Sequence, residues 1–247
     1  MEKDFSIIKF EPTGKEYLLP DSNYSKKHLE FCEKYSIKKT LEEIEAEYRN
    51  KYDDYREIDI PIGASRIGGP IVDLPNNIEY PENHFFMAQL NLSEFSQHDS
   101  LGLLPKEGFL YFFMEKGYGD EGKVFYSSCS KKELQRIKYE HNDWYYSGQL
   151  IGNIRNDRET FDDRFIVNDG IKEWDYFARD DVSKIYGIYT NCQASEEEIR
   201  YYTNNEEILL LHIGSNFLGE GVHCVFIDKT DLKNKDFSDC RFDYNQS

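Results

Sequence analysis

The 247-residue sequence predicts an α+β fold: an extensive, mainly antiparallel sheet with an internal duplication, behind a helical N-terminal segment. Three observations predict it. Glycine-punctuated strands occur twice in the same order: Ile67-Gly68-Gly69-Pro70, Phe85 to Leu92 and Gly108 to Phe113, then Ile185-Tyr186-Gly187-Ile188, Ile208 to Ile213 and Gly221 to Ile227. These strands are nearly continuous apolar runs, the signature of a sheet covered on both faces. The first sixty residues carry instead a helix-start signal and a helical stripe.

Along the chain, Lys26 to Tyr35 suits a short helix. Thr40-Leu41-Glu42-Glu43 is a capping box, in which the Thr40 hydroxyl takes a first-turn amide while Glu43 reaches back. Leu41, Ile44 and Tyr48 follow at i, i+3 and i+7, one face of a helix. Ile58, Ile60 and Ile62 alternate with polar residues or Pro61, predicting an edge strand over 57–62. Gly68 or Gly69 supplies a positive φ or a close backbone approach. Leu103 to Gly108 contains a turn, and Val124-Phe125-Tyr126 begins another strand. From Asp157 to Asp181 nine carboxylates face four basic groups, with Phe161, Phe165, Trp174 and Phe177 among them. Disordered segments seldom hold so many aromatics, so this stretch reads as a pinned connection with helical pieces. Ala194 to Tyr202 reads as an acidic helix capped by Ser195, and Ser238 to Phe242 as a last strand. The result is a single domain, 1–247: a helical segment 1–56, a first half 57–155, an acidic connection 156–181 and a second half 182–247.

Composition narrows the partners. The formal charge is −17, from 47 acidic and 30 basic side chains. Duplex nucleic acid, bound through Lys and Arg on phosphates, is an unsuitable partner. A basic protein or toxin would be attracted, although plain solubility is the simpler meaning of such a charge. The five cysteines are widely spaced without a CxxC pair, against a disulfide framework or zinc knuckle. No long apolar run opens the chain and none reaches about 18 residues, so neither a signal peptide nor a membrane span is expected. The expected location is the cytoplasm, with no membrane partner; oligomeric state is not legible.

Several stretches are similar to the YwqG-like family. They are Ser65-Arg66-Ile67-Gly68-Gly69-Pro70, then Phe86-Met87-Ala88-Gln89-Leu90-Asn91-Leu92, then Leu104-Pro105-Lys106-Glu107-Gly108-Phe109-Leu110-Tyr111-Phe112-Phe113. Leu209 to Ile213, Gly219-Glu220-Gly221, Val222 to Ile227, Asp231-Leu232 and Phe237 resemble its closing half. His212 departs from the family's usual Gln, and the second-half turn is shortened. The resemblance implies an α+β fold with extensive antiparallel sheet and an internal duplication, in a bacterial family with no established activity. Some members lie near secreted polymorphic toxins, which suggests an immunity or partner-binding role by analogy alone.

Candidate site residues are few. Gln89 and Asn91 project to one side of their strand, and His212 takes the position of Gln89 in the second half. Gln89 and His212, with Arg66 as a cation, could line a polar ligand-binding pocket between the halves. The simpler reading is a buried amide that satisfies neighbouring backbone. The Gly68-Gly69-Pro70 turn offers too few amides for an anion cradle. His223 and Cys224, adjacent on a strand, point to opposite faces and cannot share a metal. Cys224 suits a small core residue better than a nucleophile. The sequence therefore names no catalytic residue, cofactor or metal. It favours a non-enzymatic protein-binding module, with an enzyme or small-ligand receptor using the Arg66, Gln89, His212 site as the alternative.

Overall fold

A computed structural model describes residues 4–16, 33, 36, 38, 40, 43, 60–69, 71–117, 120–138, 149–161, 165–168, 171–174, 182–191, 194–218 and 221–245. Two strands at the centre organise them. β1 (Phe5–Glu16) lies antiparallel to β8 (Gln149–Glu159), with Ile7 opposite Asp157 and Glu11 opposite Gly152. β8 continues into β2 (Arg66–Ile67), β4 (His84–Asn91), β5 (Phe109–Glu115) and β6 (Gly122–Ser127). β1 continues into β11 (Ser183–Ile185), β12 (Glu207–Ile213), β13 (Val222–Asp228) and β14 (Arg241–Asn245). All neighbours in this ten-stranded sheet are antiparallel.

The sheet curls until its outer strands meet. A Cβ at Gly122 of β6 would lie 2.5 Å from the Phe242 ring of β14, so a glycine is required there. Tyr126 of β6 stacks at a tilt on Phe237, 5.8 Å away. The inner face is a continuous apolar core containing Ile8, Phe10, Leu90, Phe112, Leu211 and Val225. The outer face is covered twice. Over β4 and β5 lies a two-stranded sheet of β3 (Ile71–Pro75) and β7 (Leu134–Lys138), enclosing Val72, Phe86, Tyr111 and Phe113. Over β12 and β13, Tyr189, Ile199, Leu209 and Phe226 pack with helix α2 (Glu196–Asn204). Burial on both faces accounts for the unbroken apolar runs of β4, β5, β12 and β13.

Three short helices also form among the described residues: α1 (Leu92–Phe95), α3 (Ser215–Leu218) and α4 (Lys229–Asn234). Ser195 caps α2 in a full capping box with Glu198. The small β9 (Phe165–Asn168) and β10 (Ile171–Trp174) form a hairpin of their own.

The α+β expectation with a helical N-terminal segment is corrected. The described chain is mostly β, and it opens on a strand. In β1, Ile8 and Phe10 alternate into the core, and Pro12 is incompatible with a helix interior. The capping-box bonds at Thr40 are present: its amide donates to Glu43 Oε2 at 2.8 Å and its Oγ1 accepts from the Glu43 amide at 3.2 Å. The stripe Leu41, Ile44, Tyr48 lies outside the described residues; of the stretch 26–35 Glu33 alone is described, and it is helical, as is Glu43. Of the strand expected over 57–62, residues 60–62 form a bend and turn, and 57–59 lie outside the described residues. Where it is described, the acidic connection is mainly strand: 156–159 finish β8, Phe161 is in a 3-10 turn, and β9 pairs with β10.

Candidate functional site

In each half the outer face of the sheet carries a polar row beneath its cover. Ile67 and Ala88 turn into the core, so their neighbours Arg66 and Gln89 turn outward. The two are register partners on β2 and β4. Above them, Asp73 of β3 is the register partner of Arg136 on β7. Asp73 Oδ2 accepts from Arg66 Nη1 at 3.1 Å and from the Gly63 amide at 2.8 Å. Its Oδ1 accepts from Arg136 Nε at 2.8 Å. Gln89 Oε1 accepts from the Asp73 amide at 3.0 Å and from Arg66 Nη2 at 3.4 Å, while its Nε2 donates to the Ala64 carbonyl at 3.0 Å. Burial pushes the Asp73 carboxyl up, but the Arg66 charge, the Arg136 hydrogen bond and the Gly63 amide together hold it below the usual aspartate range.

The second row crosses four strands. Lys184 on β11 pairs in register with His212 on β12, His212 with Cys224 on β13, and Cys224 with Asp243 on β14. Lys184 is fully buried, and its Nζ lies 2.5 Å from Glu159 Oε1 at the end of β8 and 2.8 Å from the Ile188 carbonyl. His212 Nδ1 donates to the Val182 carbonyl at 2.7 Å, which fixes the ring orientation. The Tyr189 hydroxyl donates to Asp243 and accepts from Asn191 Nδ2. Burial raises the Cys224 thiol well above its ordinary value, so it stays protonated and is a poor nucleophile.

The structure thus brings Arg66 and Gln89 together and places His212 apart, as the register partner of Lys184. Neither Gln89 nor His212 faces the space between the halves, which is the apolar core. Gln89 is a buried amide satisfying backbone at Ala64 and Asp73. Among the described residues, no three His, Cys, Asp or Glu side chains are grouped to hold a metal, and no helix is long and apolar enough to cross a membrane.

A cavity of about 240 Å³ opens in the second half, away from all three expected residues. Its walls come from β1, the turn at Tyr186 and Gly187, α2, β12 and β13, and include Phe5, Tyr186, Tyr189, Tyr202 and Phe226. Tyr189 meets Tyr202 edge-on at 5.4 Å and Phe226 at 5.3 Å. Tyr186 (φ 68°) and Gly187 (φ 90°) turn through the left-handed region. A Cβ at Gly187 would sit 2.3 Å from Glu159 Oε1, so only glycine fits beside the buried ion pair. The Tyr186 hydroxyl donates to Asp99 at 3.4 Å, tying this turn to the first half. No sequence motif marks the cavity, because its aromatics converge from separate elements.

Residues 65–245 match the family described as Domain of unknown function (DUF1963), and the chain belongs to that family. No curated protein matches the chain.

Proposed function

We propose that this DUF1963 protein is a non-enzymatic, cytoplasmic binding module that takes a basic protein partner and acts in an immunity-like role. The observation that carries this reading is the charge of −17, which attracts cationic surfaces over distances up to a Debye length, about 8–10 Å at physiological salt. The closed state of both polar rows supports it. Their cations and carboxylates are spent on one another and on backbone. We also read the two strand sets as copies of one motif within a single domain, halves 57–155 and 182–247, and retain the narrower YwqG-like assignment on the Ser65 to Phe113 motifs.

A second reading, an enzyme or small-ligand receptor, draws on the aromatic cavity rather than on a site between the halves. Titration of a fluorescent oligo-arginine peptide and of its oligo-glutamate counterpart, at low and high salt, tests the first reading. The expected result is binding of the basic peptide alone, weakening as salt rises. Absence of binding at low salt, or binding indifferent to salt, overturns it. Co-expression with the products of adjacent genes tests the immunity-like role: a toxic neighbour left fully active would contradict it.

A further inference from the structure

We propose that the aromatic cavity is an anchor site for a single arginine side chain of the basic partner; this rests on the binding-module reading above. At about 240 Å³ it is smaller than the roughly 300–1,000 Å³ typical of sites that enclose drug-sized molecules. It suits one long side chain. A guanidinium is planar, weakly hydrated and attracted to aromatic faces, and it pairs with carboxylates. The cavity offers both: Tyr186 and Tyr189 among its walls, Asp4 in its polar lining.

The molecule already uses this chemistry next door. Arg241, outside the lining, holds its guanidinium 4.0 Å from the Phe226 ring centroid and 5.0 Å from that of Tyr202, while Nη2 meets Glu207 at 2.9 Å. Arg200 lies 4.2 Å over Phe161 and donates to Glu196 at 2.7 Å. Arg158 approaches Asp4 only at 3.5 Å, with both side chains largely exposed, a contact that water and a partner can displace. Among the described residues, Lys229 is the one cation lining the cavity.

The surroundings are those of an interface. Of the three large apolar side chains exposed among the described residues, two belong here. Leu101, 50% exposed, lines the cavity, and Tyr201, 67% exposed, packs edge-on to Tyr202 at 5.3 Å. Aromatic anchors rimmed by charge are the composition of binding hot spots.

The test uses N-acetyl-arginine amide and its neutral isostere N-acetyl-citrulline amide, titrated against the full chain by NMR. Arginine amide should bind and citrulline amide should not. Lys229→Glu should tighten arginine binding about two- to fivefold, and Asp4→Lys should weaken it by a similar factor, the range for exposed charge pairs. Lys106→Glu, an equal charge change at an exposed site outside the lining, should leave it unchanged. Equal binding of both amides, or equal responses to Lys229→Glu and Lys106→Glu, overturns the anchor. If oligo-arginine binds with salt dependence but ignores Asp4→Lys and Lys229→Glu, the anchor fails and the binding-module reading stands. If arginine amide binds but no basic peptide or protein does, the module reading fails and the anchoring role with it.

Discussion

Two buried cations, Arg66 on β2 and Lys184 on β11, are neutralised by different means. Arg66 pairs with Gln89 on the neighbouring strand, as Lys184 pairs with His212. Ser65 and Ser183, one residue earlier, each accept a backbone amide from the neighbouring strand's end at 2.9 Å: Asn91 in the first half, Gly214 in the second. The turns that follow both pass through positive φ, at Gly68–Gly69 and at Tyr186–Gly187. The anions differ. Asp73 comes from the covering sheet, seven residues on, and serves two arginines; Glu159 comes from the central strand, 25 residues back, and serves one lysine. Arg66 forks to a carboxylate and an amide, whereas Lys184 acts as a point charge between a carboxylate and a carbonyl. Both cations thus sit on short strands, and each is answered from a different kind of element.

The largest effect should come from the anions. Asp73→Asn removes the carboxylate that Arg66 and Arg136 share, and a loss of about 3–5 kcal/mol is expected in urea unfolding. Glu159→Gln takes the carboxylate from one lysine, which keeps the Ile188 carbonyl, and should lie at the lower end of that range. Equal losses, or a larger one for Glu159→Gln, would break the contrast. Because the Asp73 carboxyl is held low, its contribution is complete above the unfolded value near 3.9 and vanishes as pH falls through the lower folded value. The gap between wild type and Asp73→Asn should therefore close only in strong acid.

Exchanging the cations comes next. Arg66→Lys cannot reach both Asp73 and Gln89 and should cost about 1.5–3 kcal/mol, one charged hydrogen bond. If it is neutral in the same unfolding assay, the fork has no role.

Acid should separate the halves a third way. Burial lowers His223 of β13 to about 3, so the folded state binds fewer protons than the unfolded state between pH 6.5 and that value. Stability from this group is complete above pH 6.5 and falls on acidification, by about 2 kcal/mol at pH 5. His223→Gln should flatten the stability profile between pH 7 and pH 5, where Asp73→Asn leaves its slope unchanged. Hydrogen exchange should show β12–β14 loosening at a higher pH than β4–β6.

Much of this was visible in the sequence where local pattern decides structure. β4, β5, β12 and β13 announce themselves as apolar runs, and Ser195 as a helix cap. The two central strands do not. β8 holds Gly152 and Asn153 among polar residues, and its stability comes from backbone pairing on both edges, which no periodicity reports. β1 mixes Ile8 and Phe10 with Lys9, Glu11 and Pro12. The candidate residues Arg66, Gln89 and His212 are all buried, but their partners could not be foreseen. Asp73 meets Arg136 across 63 residues of chain through the β3–β7 pairing. An aspartate between Val72 and Leu74 was the available signal, a charge on a strand with no wet side.

The seating of β1 has a consequence for synthesis. This strand emerges first among the described elements, yet its neighbours are residues 149–159 and 183–185. A ribosome adding about 5–20 residues per second needs on the order of ten to forty seconds between the two. Throughout that interval Ile8 and Phe10 have no groove to enter, and the molecule's middle is completed only after most of the chain has been translated.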